Sequence, residues 1–169
     1  MSEEGEVSVT QQELSDRLEI VDLLHRYATG LDSRDWDLLA SVFTDDGVAD
    51  YSSLELGVND GPDAIVELCR NALSGLDATQ HIISNEVIEI DGDQARSRCY
   101  FQAQHVFRGA PGGDNFIVAG TYEDELVRTQ AGWRIERRTL IPTWFEGNAS
   151  VGEAAAARLA AQQTSGELA

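Results

Sequence analysis

Three histidines occur in the chain, His25, His81 and His105. His105 lies in a segment of alternating polarity. Cys99, Phe101, Ala103, His105 and Phe107 share one face; Arg96, Arg98, Gln102 and Gln104 share the other. The alternation turns the His105 imidazole to the apolar side. His81 begins the preceding alternating segment and shares a face with Ile83 and Asn85, although Ile82, Val87 and Ile88 break the parity. An imidazole titrates near neutral pH and suits general-base work. A carboxylate on one of its nitrogens fixes the tautomer and stabilises the imidazolium. Asp32, two residues past Gly30 at the exit of the first helical stretch, is the candidate carboxylate. Alone, Asp32 reads as a cap or turn acid, and a single inward histidine reads as a satisfied core residue. Two inward histidines on neighbouring strands favour a pocket, and Asp32 gains weight as their partner only where the helix exit abuts His81. His25, mid-helix beside Arg26, reads as structural or surface.

Asp32, His81 and His105 are also the residue types of a two-histidine, one-carboxylate iron site. The short H-x-D/E element usual in such sites is absent. Tyr27, Tyr51 and Trp144 are candidate pocket walls, and a buried Tyr51 would need a partner for its hydroxyl. Arg137 or Arg138 has the charge to hold an anionic group, but pairing with surface acids is the commoner use.

Composition removes other chemistries. The net charge is −18, from 30 acids and 12 bases. Such a surface repels phosphate backbones and anionic lipid, so neither nucleic acid nor membrane is expected as a partner. Every base is Arg, and without Lys there is no Schiff-base chemistry and no P-loop lysine. There is no GxSxG and no GxGxxG. Cys69 and Cys99 form no CxxC and read as buried free thiols. No run approaches the roughly 18 apolar residues of a membrane span, and the first ten residues are acidic with no apolar core. A cytoplasmic protein needing no cofactor or metal is expected.

The elements that must position these residues follow from periodicity. Residues 1–11 read as a flexible terminus. Leu14, Leu18, Val21, Leu24 and Ala28, widened by Ile20, Leu23 and Tyr27, predict a helix of about four turns stopping near Gly30. Ser33 or Asp35 caps a second helix with Trp36, Leu39, Ala40 and Phe43 on its apolar side. Thr44 to Gly47 reads as a turn, Val48 to Ser52 as a short strand, and Gly61-Pro62 opens a third helix. Four strands are predicted at Thr79–Ile90, Ala95–Phe107, Phe116–Arg128 and Trp133–Phe145. Asp91-Gly92-Asp93 turns the first pair. Residues 151–163 read as a terminal helix or tail. Three helices before a long meander give an α+β fold, a cone of curled, mainly antiparallel sheet packed on the helices around a pocket.

The run Tyr27 to Leu39 (YATGLDSRDWDLL), then Asp50-Tyr51, Thr79-Gln-His81, His105, Gly132-Trp133-Arg-Ile and Trp144 resemble the SnoaL-like and scytalone dehydratase group of the nuclear transport factor 2-like superfamily. The resemblance covers about residues 12–147, leaving 148–169 as a terminal extension. It implies Asp32 and His81 as the base pair, His105 as an assistant and Tyr51 as a water-positioning hydroxyl. It implies Tyr27, Leu31, Phe101, Gly120, Tyr122 and Trp144 as substrate-binding. An Asp–His pair of this kind also resembles that of the hexachlorocyclohexane dehydrochlorinases. Leu31 stands where scytalone dehydratase has Tyr. Gly120 and Tyr122 stand where it has Ser and Asn, which points to another substrate.

The combined expectation is a cofactor-independent lyase or isomerase (dehydratase, cyclase or other eliminating enzyme) acting on a small hydrophobic cyclic molecule. The alternative is a non-catalytic binding or assembly module of the same fold. An open outer sheet face displaying Tyr100 predicts a homo-oligomer, a trimer by resemblance or else a dimer.

Overall fold

The computed structural model describes residues 9–166 of the chain. The first eight residues of the expected mobile terminus lie outside them. Helix α1 (Gln11–Ser33) starts at Thr10, whose hydroxyl accepts from the Glu13 N–H at 3.1 Å. It runs past Gly30 to Ser33, longer than predicted. Gly30 is no stop because it packs inside the helix against α2: a Cβ there would sit 3.0 Å from the Leu39 backbone nitrogen. Arg34 ends the helix instead, in the left-handed region at φ 60°. The buried stripe is Ile20, Leu23, Leu24, Tyr27, Ala28 and Leu31, while Leu14 and Leu18 are exposed. Helix α2 (Trp36–Ser41) is capped by Asp35, which accepts from the Leu38 N–H at 2.9 Å.

Strand β1 (Phe43–Asp50) contains the residues predicted as a turn; the Thr44–Gly47 signals make a register irregularity between Phe43 and Val48 instead. A short 3-10 helix (Ser52–Leu54) and strand β2 (Val58–Asp60), neither predicted, precede helix α3 (Pro62–Leu73). The long strands are β3 (Ala78–Asp91), β4 (Gln94–Val106), β5 (Asn115–Thr129) and β6 (Gly132–Gly147), each within two residues of expectation. Helix α4 (Ser150–Gly166) follows.

The sheet order is β2-β1-β6-β5-β4-β3, with β1 parallel to β6 and every other neighbour antiparallel. This is the expected curled α+β architecture. Bulges supply the curl. In β3 the register shifts between Ser84 and Val87, with Asn85 at φ 57°, which accounts for the broken parity around Ile82 to Ile88. Strand β6 carries two extra residues, Glu136 and Thr143, against β5. Each flips the side-chain parity beyond it.

The core lies between the concave sheet face and α1 and α3, built on Leu23, Leu24, Ile65, Phe101, Leu126 and Trp133. Burying such a side chain contributes about 1.5–3 kcal/mol. A polar clamp ties α1 to the far end of the sheet: Arg128 grips both oxygens of buried Asp16 at 2.7 Å, and the Trp133 indole donates to it at 3.3 Å. Cys69 and Cys99 are buried free thiols. Helix α4 docks onto the turn after α3, its Ala155 carbonyl so close to Gly75 that any Cβ there would meet it at 2.0 Å.

Candidate active site

A cavity of about 390 Å³ lies between the concave sheet face, α1, the 3-10 helix and α3. That is the size of a small-molecule site. Its lining is mostly apolar, with Leu31, Leu68, Ala72, Phe101, Val118 and Leu140 among the walls.

One wall carries a hydrogen-bonded carboxylate and imidazole. Asp32 sits in the last turn of α1, and its Oδ1 lies 2.7 Å from Nδ1 of His81. Its Oδ2 accepts from the His81 backbone N–H at 2.7 Å. The Thr79 hydroxyl donates to Oδ1 at 3.0 Å and itself accepts from Arg34 at 2.7 Å. Arg34 also donates to the Leu73 carbonyl at 2.8 Å, so the residue that ends α1 anchors the turn presenting Asp32. Burial, the largest single influence on Asp32, works to raise its pKa. The hydrogen bonds from the His81 ring and backbone and from Thr79 outweigh it, and the carboxyl is held below its ordinary value. An ionised carboxylate only accepts, so Nδ1 of His81 carries the proton. Nε2 is then the acceptor left for the cavity that His81 lines.

His105 faces His81 edge-on, with ring centroids 6.0 Å apart. Its Nδ1 lies 3.3 Å from the Phe116 carbonyl, which can only accept, so this ring also carries its proton on Nδ1. Burial, and then the positive charge His81 gains on protonation, push the His105 pKa down to about 4. Among the described residues no three His, Cys, Asp or Glu side chains converge as a metal-binding group.

The floor of the cavity is made of tyrosines. The Tyr27 and Tyr51 hydroxyls hydrogen-bond each other at 2.6 Å, and Tyr122 stacks on Phe101 with centroids 4.4 Å apart. Burial, the main cause in each case, raises the Tyr27, Tyr51 and Tyr122 pKa values well above the ordinary phenol value. They stay protonated and act as donors.

The expected residues Asp32, His81, His105, Tyr51, Tyr27, Leu31, Phe101 and Tyr122 are thus brought to one cavity or its wall. Two others are not. Gly120 does not line it: the β6 backbone at Ile141 crosses where its side chain would stand, 2.1 Å from a Cβ. Trp144 is 44% exposed and lies on the convex face, because the extra residue Thr143 reverses the parity of β6. Phe145, one residue on, lines the cavity. His25 is exposed and pairs with Glu86 at 3.3 Å. Arg138, read as a surface partner for acids, does pair with an acid but is fully buried. Leu54, Leu56 and Gly152 of the lining gave no advance signal, since they come from the unpredicted 3-10 turn and the terminal helix.

Residues 12–139 match the SnoaL-like domain family. The terrestric acid biosynthesis cluster protein E of Penicillium crustosum is 33% identical over 145 residues, 82% of this chain and 90% of that protein. The crystal structure of the Kfla4162 protein from Kribbella flavida is 31% identical with a TM-score of 0.78, covering 83% of this chain and 99% of that one. A hexachlorocyclohexane dehydrochlorinase from Novosphingobium barchaimii, 22% identical, shares the fold with a TM-score of 0.70 over 80% of this chain and 92% of its own. Among the described residues no helix is long and apolar enough to cross a membrane.

Proposed function

The chain belongs to the SnoaL-like domain family, and from that premise we propose that it is a cofactor-independent lyase or isomerase acting on a small hydrophobic cyclic molecule. The observation that carries this reading is the Asp32–His81 contact at 2.7 Å on the wall of an apolar cavity. In the proposed reaction Nε2 of His81 removes a proton from a substrate carbon next to a carbonyl. The electron pair moves onto the carbonyl oxygen as an enolate, which Tyr51 meets with its hydroxyl. Asp32 stabilises the imidazolium. His105, neutral at its lowered pKa, accepts a hydrogen bond from a substrate hydroxyl. The imidazolium then gives its proton to the departing oxygen, releasing water, or back to another carbon, giving an isomer. Two relatives lend support by name: one belongs to a biosynthesis cluster, and one fold neighbour is an eliminating enzyme.

The alternative, a non-catalytic binding module, has no use for a base held in hydrogen-bond reach of its carboxylate and open to the cavity. The test is a screen of neutral cyclic ketones and β-hydroxy ketones with wild type and His81→Ala. Turnover is expected in the first and its loss, with an unchanged circular dichroism spectrum, in the second. Activity that survives His81→Ala rejects the assignment. Self-association, as a trimer rather than a dimer, is part of this reading. Ile82, Tyr100 and Trp144 lie exposed together on the convex face, and light scattering of the full chain tests it.

A further inference from the structure

The cavity has a mouth, and the residues around it are uneven in size. Of the residues that line the cavity, Leu56, Ala72, Phe145 and Gly152 are exposed. They come from the turn after the 3-10 helix, from α3, from the last part of β6 and from the first turn of α4. The His81 side chain on the wall is only 6% exposed, and Tyr51 on the floor is buried. The reacting end of a ligand therefore sits deep, and its other end lies among these four apolar residues. Leu56 and Phe145 are large; Ala72 and Gly152 bring almost no side chain.

Gly152 has no local reason to be glycine. Among the glycines from 30 to 147, Gly30, Gly47, Gly75 and Gly120 have an atom within 3.0 Å of where a Cβ would stand, and each of the others has a positive φ. Gly152 has neither, and a Cβ there meets nothing within 4 Å. Glycine is a poor helix former, and α4 goes on with alanine from Ala154 to Ala157. Nor does the position face away from the protein. Val151 and Ala155, one turn apart on one face of α4, are both buried. Gly152 lies three residues from Ala155 on the same side of the helix. It is turned inward and yet exposed, because what it faces is the open mouth.

We propose that Gly152 sets the length of substrate that the site accepts. The missing side chain keeps the mouth open, so that a substituent on the substrate passes out beside Gly152, against Leu56 and Phe145, while the reacting ring stays at His81. The rim offers carbon and no polar side chain, so the substituent is apolar and gains by leaving water there. Helix α4 lies beyond residues 12–139, the stretch that matches the family. Length selection is thus a property of the terminal helix of this chain and not of the matched domain. The inference rests on the proposed proton abstraction for which end of the ligand lies inside, but it is tested by binding, without turnover.

The probes are 6-acyl-2-dimethylaminonaphthalenes, neutral aryl ketones whose emission shifts to the blue in an apolar site. The acetyl and hexanoyl members differ only in chain length. Wild type is expected to bind the hexanoyl probe about tenfold or more tightly than the acetyl one, since a fully buried methylene is worth about fourfold. Gly152→Leu, which fills the mouth, is expected to abolish that gain and to leave the acetyl affinity within about twofold of wild type. Gly152→Ala is expected to lose part of the gain with a Tm no lower than wild type, and it decides in place of the leucine variant if that one does not fold. No gain in wild type, a gain undiminished in the variants, or an equal weakening of both probes overturns the proposal. Activity that survives His81→Ala would remove the base and leave the binding result as it stands.

Discussion

The molecule holds two carboxylate–base pairs around one cavity, and they are built oppositely. At the wall, Asp32 and His81 meet at 2.7 Å, with the Asp32 side chain 26% exposed and the His81 ring open to the cavity. At the floor, Asp124 and Arg138 meet at 2.8 Å, with both side chains fully buried. The wall pair can change its protonation state during a reaction because one partner is an imidazole with a free nitrogen. The floor pair cannot, because a guanidinium beside a carboxylate keeps its proton. Depth and choice of base thus separate a pair with a titratable imidazole at the cavity from a pair whose charges are fixed in the interior.

Breaking the wall pair is expected to damage activity far more than stability. Asp32→Asn keeps the size of the side chain but cannot stabilise the imidazolium. A loss of about 10²–10⁴-fold in kcat is expected, with the denaturation midpoint little changed because the Asn oxygen still accepts from the His81 backbone N–H. A comparison of kcat with urea unfolding checks this. Equal damage to both quantities would make Asp32 a structural residue.

Breaking the floor pair reverses the order. Arg138→Met leaves the Asp124 carboxylate buried without its partner, which is expected to cost about 3–5 kcal/mol of folding stability. Removing Asp124 as well is expected to restore most of that loss, because a well-packed apolar pair replaces a desolvated ionic one. Chemical unfolding of the single and double variants checks the sign. A double variant as unstable as the single one would mean the pair is needed for folding itself.

The two pairs also differed in how far the sequence announced them. His105 is recognisable because a scarce residue type falls on one face of regular alternation, whereas Asp32, His81 and Tyr51 took most of their weight from the ordered resemblance. Arg138 was not recognised, and Trp144 was misplaced, for one shared reason. Alternation from Trp133 and Ile135 turns Arg137 inward, but the extra residue Glu136 reverses the parity and brings Arg138 in instead. A second extra residue, Thr143, reverses it again and puts Trp144 outside. Bulges depend on pairing across strands, which a single strand's pattern does not carry. A signal did exist on β5: Val118, Tyr122, Asp124 and Leu126 share one parity, so Asp124 had to be a buried acid in need of a cation. The long strands were legible to within two residues, whereas β2 and the 3-10 turn were too short to show a period.

Acid separates the pairs by a smaller amount. The His105 pKa falls to about 4 in the folded chain, from an ordinary 6.5. Between those values the unfolded chain holds a proton at His105 that the folded chain refuses. Stability therefore falls as the pH drops from 6.5 to 4, by up to about 3 kcal/mol. Asp32 has the opposite charge type and a lowered pKa, so its contribution is present above the ordinary carboxylate value and is lost only as the pH falls below it. The wall is thus expected to weaken in two successive acid steps, and His105→Gln to remove the upper one. Urea unfolding from pH 7 to about 2 checks this, and an unchanged slope between pH 6.5 and 4 in His105→Gln would place the upper titration elsewhere.

The smallest expected effect tests how the wall pair is tuned. Thr79 donates to Asp32 Oδ1 while accepting from Arg34, so it ties the carboxylate to the residue that ends α1. Thr79→Val keeps the branched shape and removes the hydroxyl, and with it both the bond to Asp32 and the one from Arg34, whose Nη1 still donates to the Leu31 carbonyl. Asp32 keeps its two bonds from His81, so the pair survives and the loss is about 2 kcal/mol, the net worth of two hydrogen bonds. Because the removed bond favours the charged carboxylate, the Asp32 pKa is expected to rise toward its ordinary value and the lower acid step to become smaller and to end at a higher pH. The upper step, set by His105, is expected to stay where it is. A shift of both steps together would show that the two histidines and Asp32 titrate as one unit through the edge-on contact between their rings, and the wall would then be a triad rather than a pair with a neighbour.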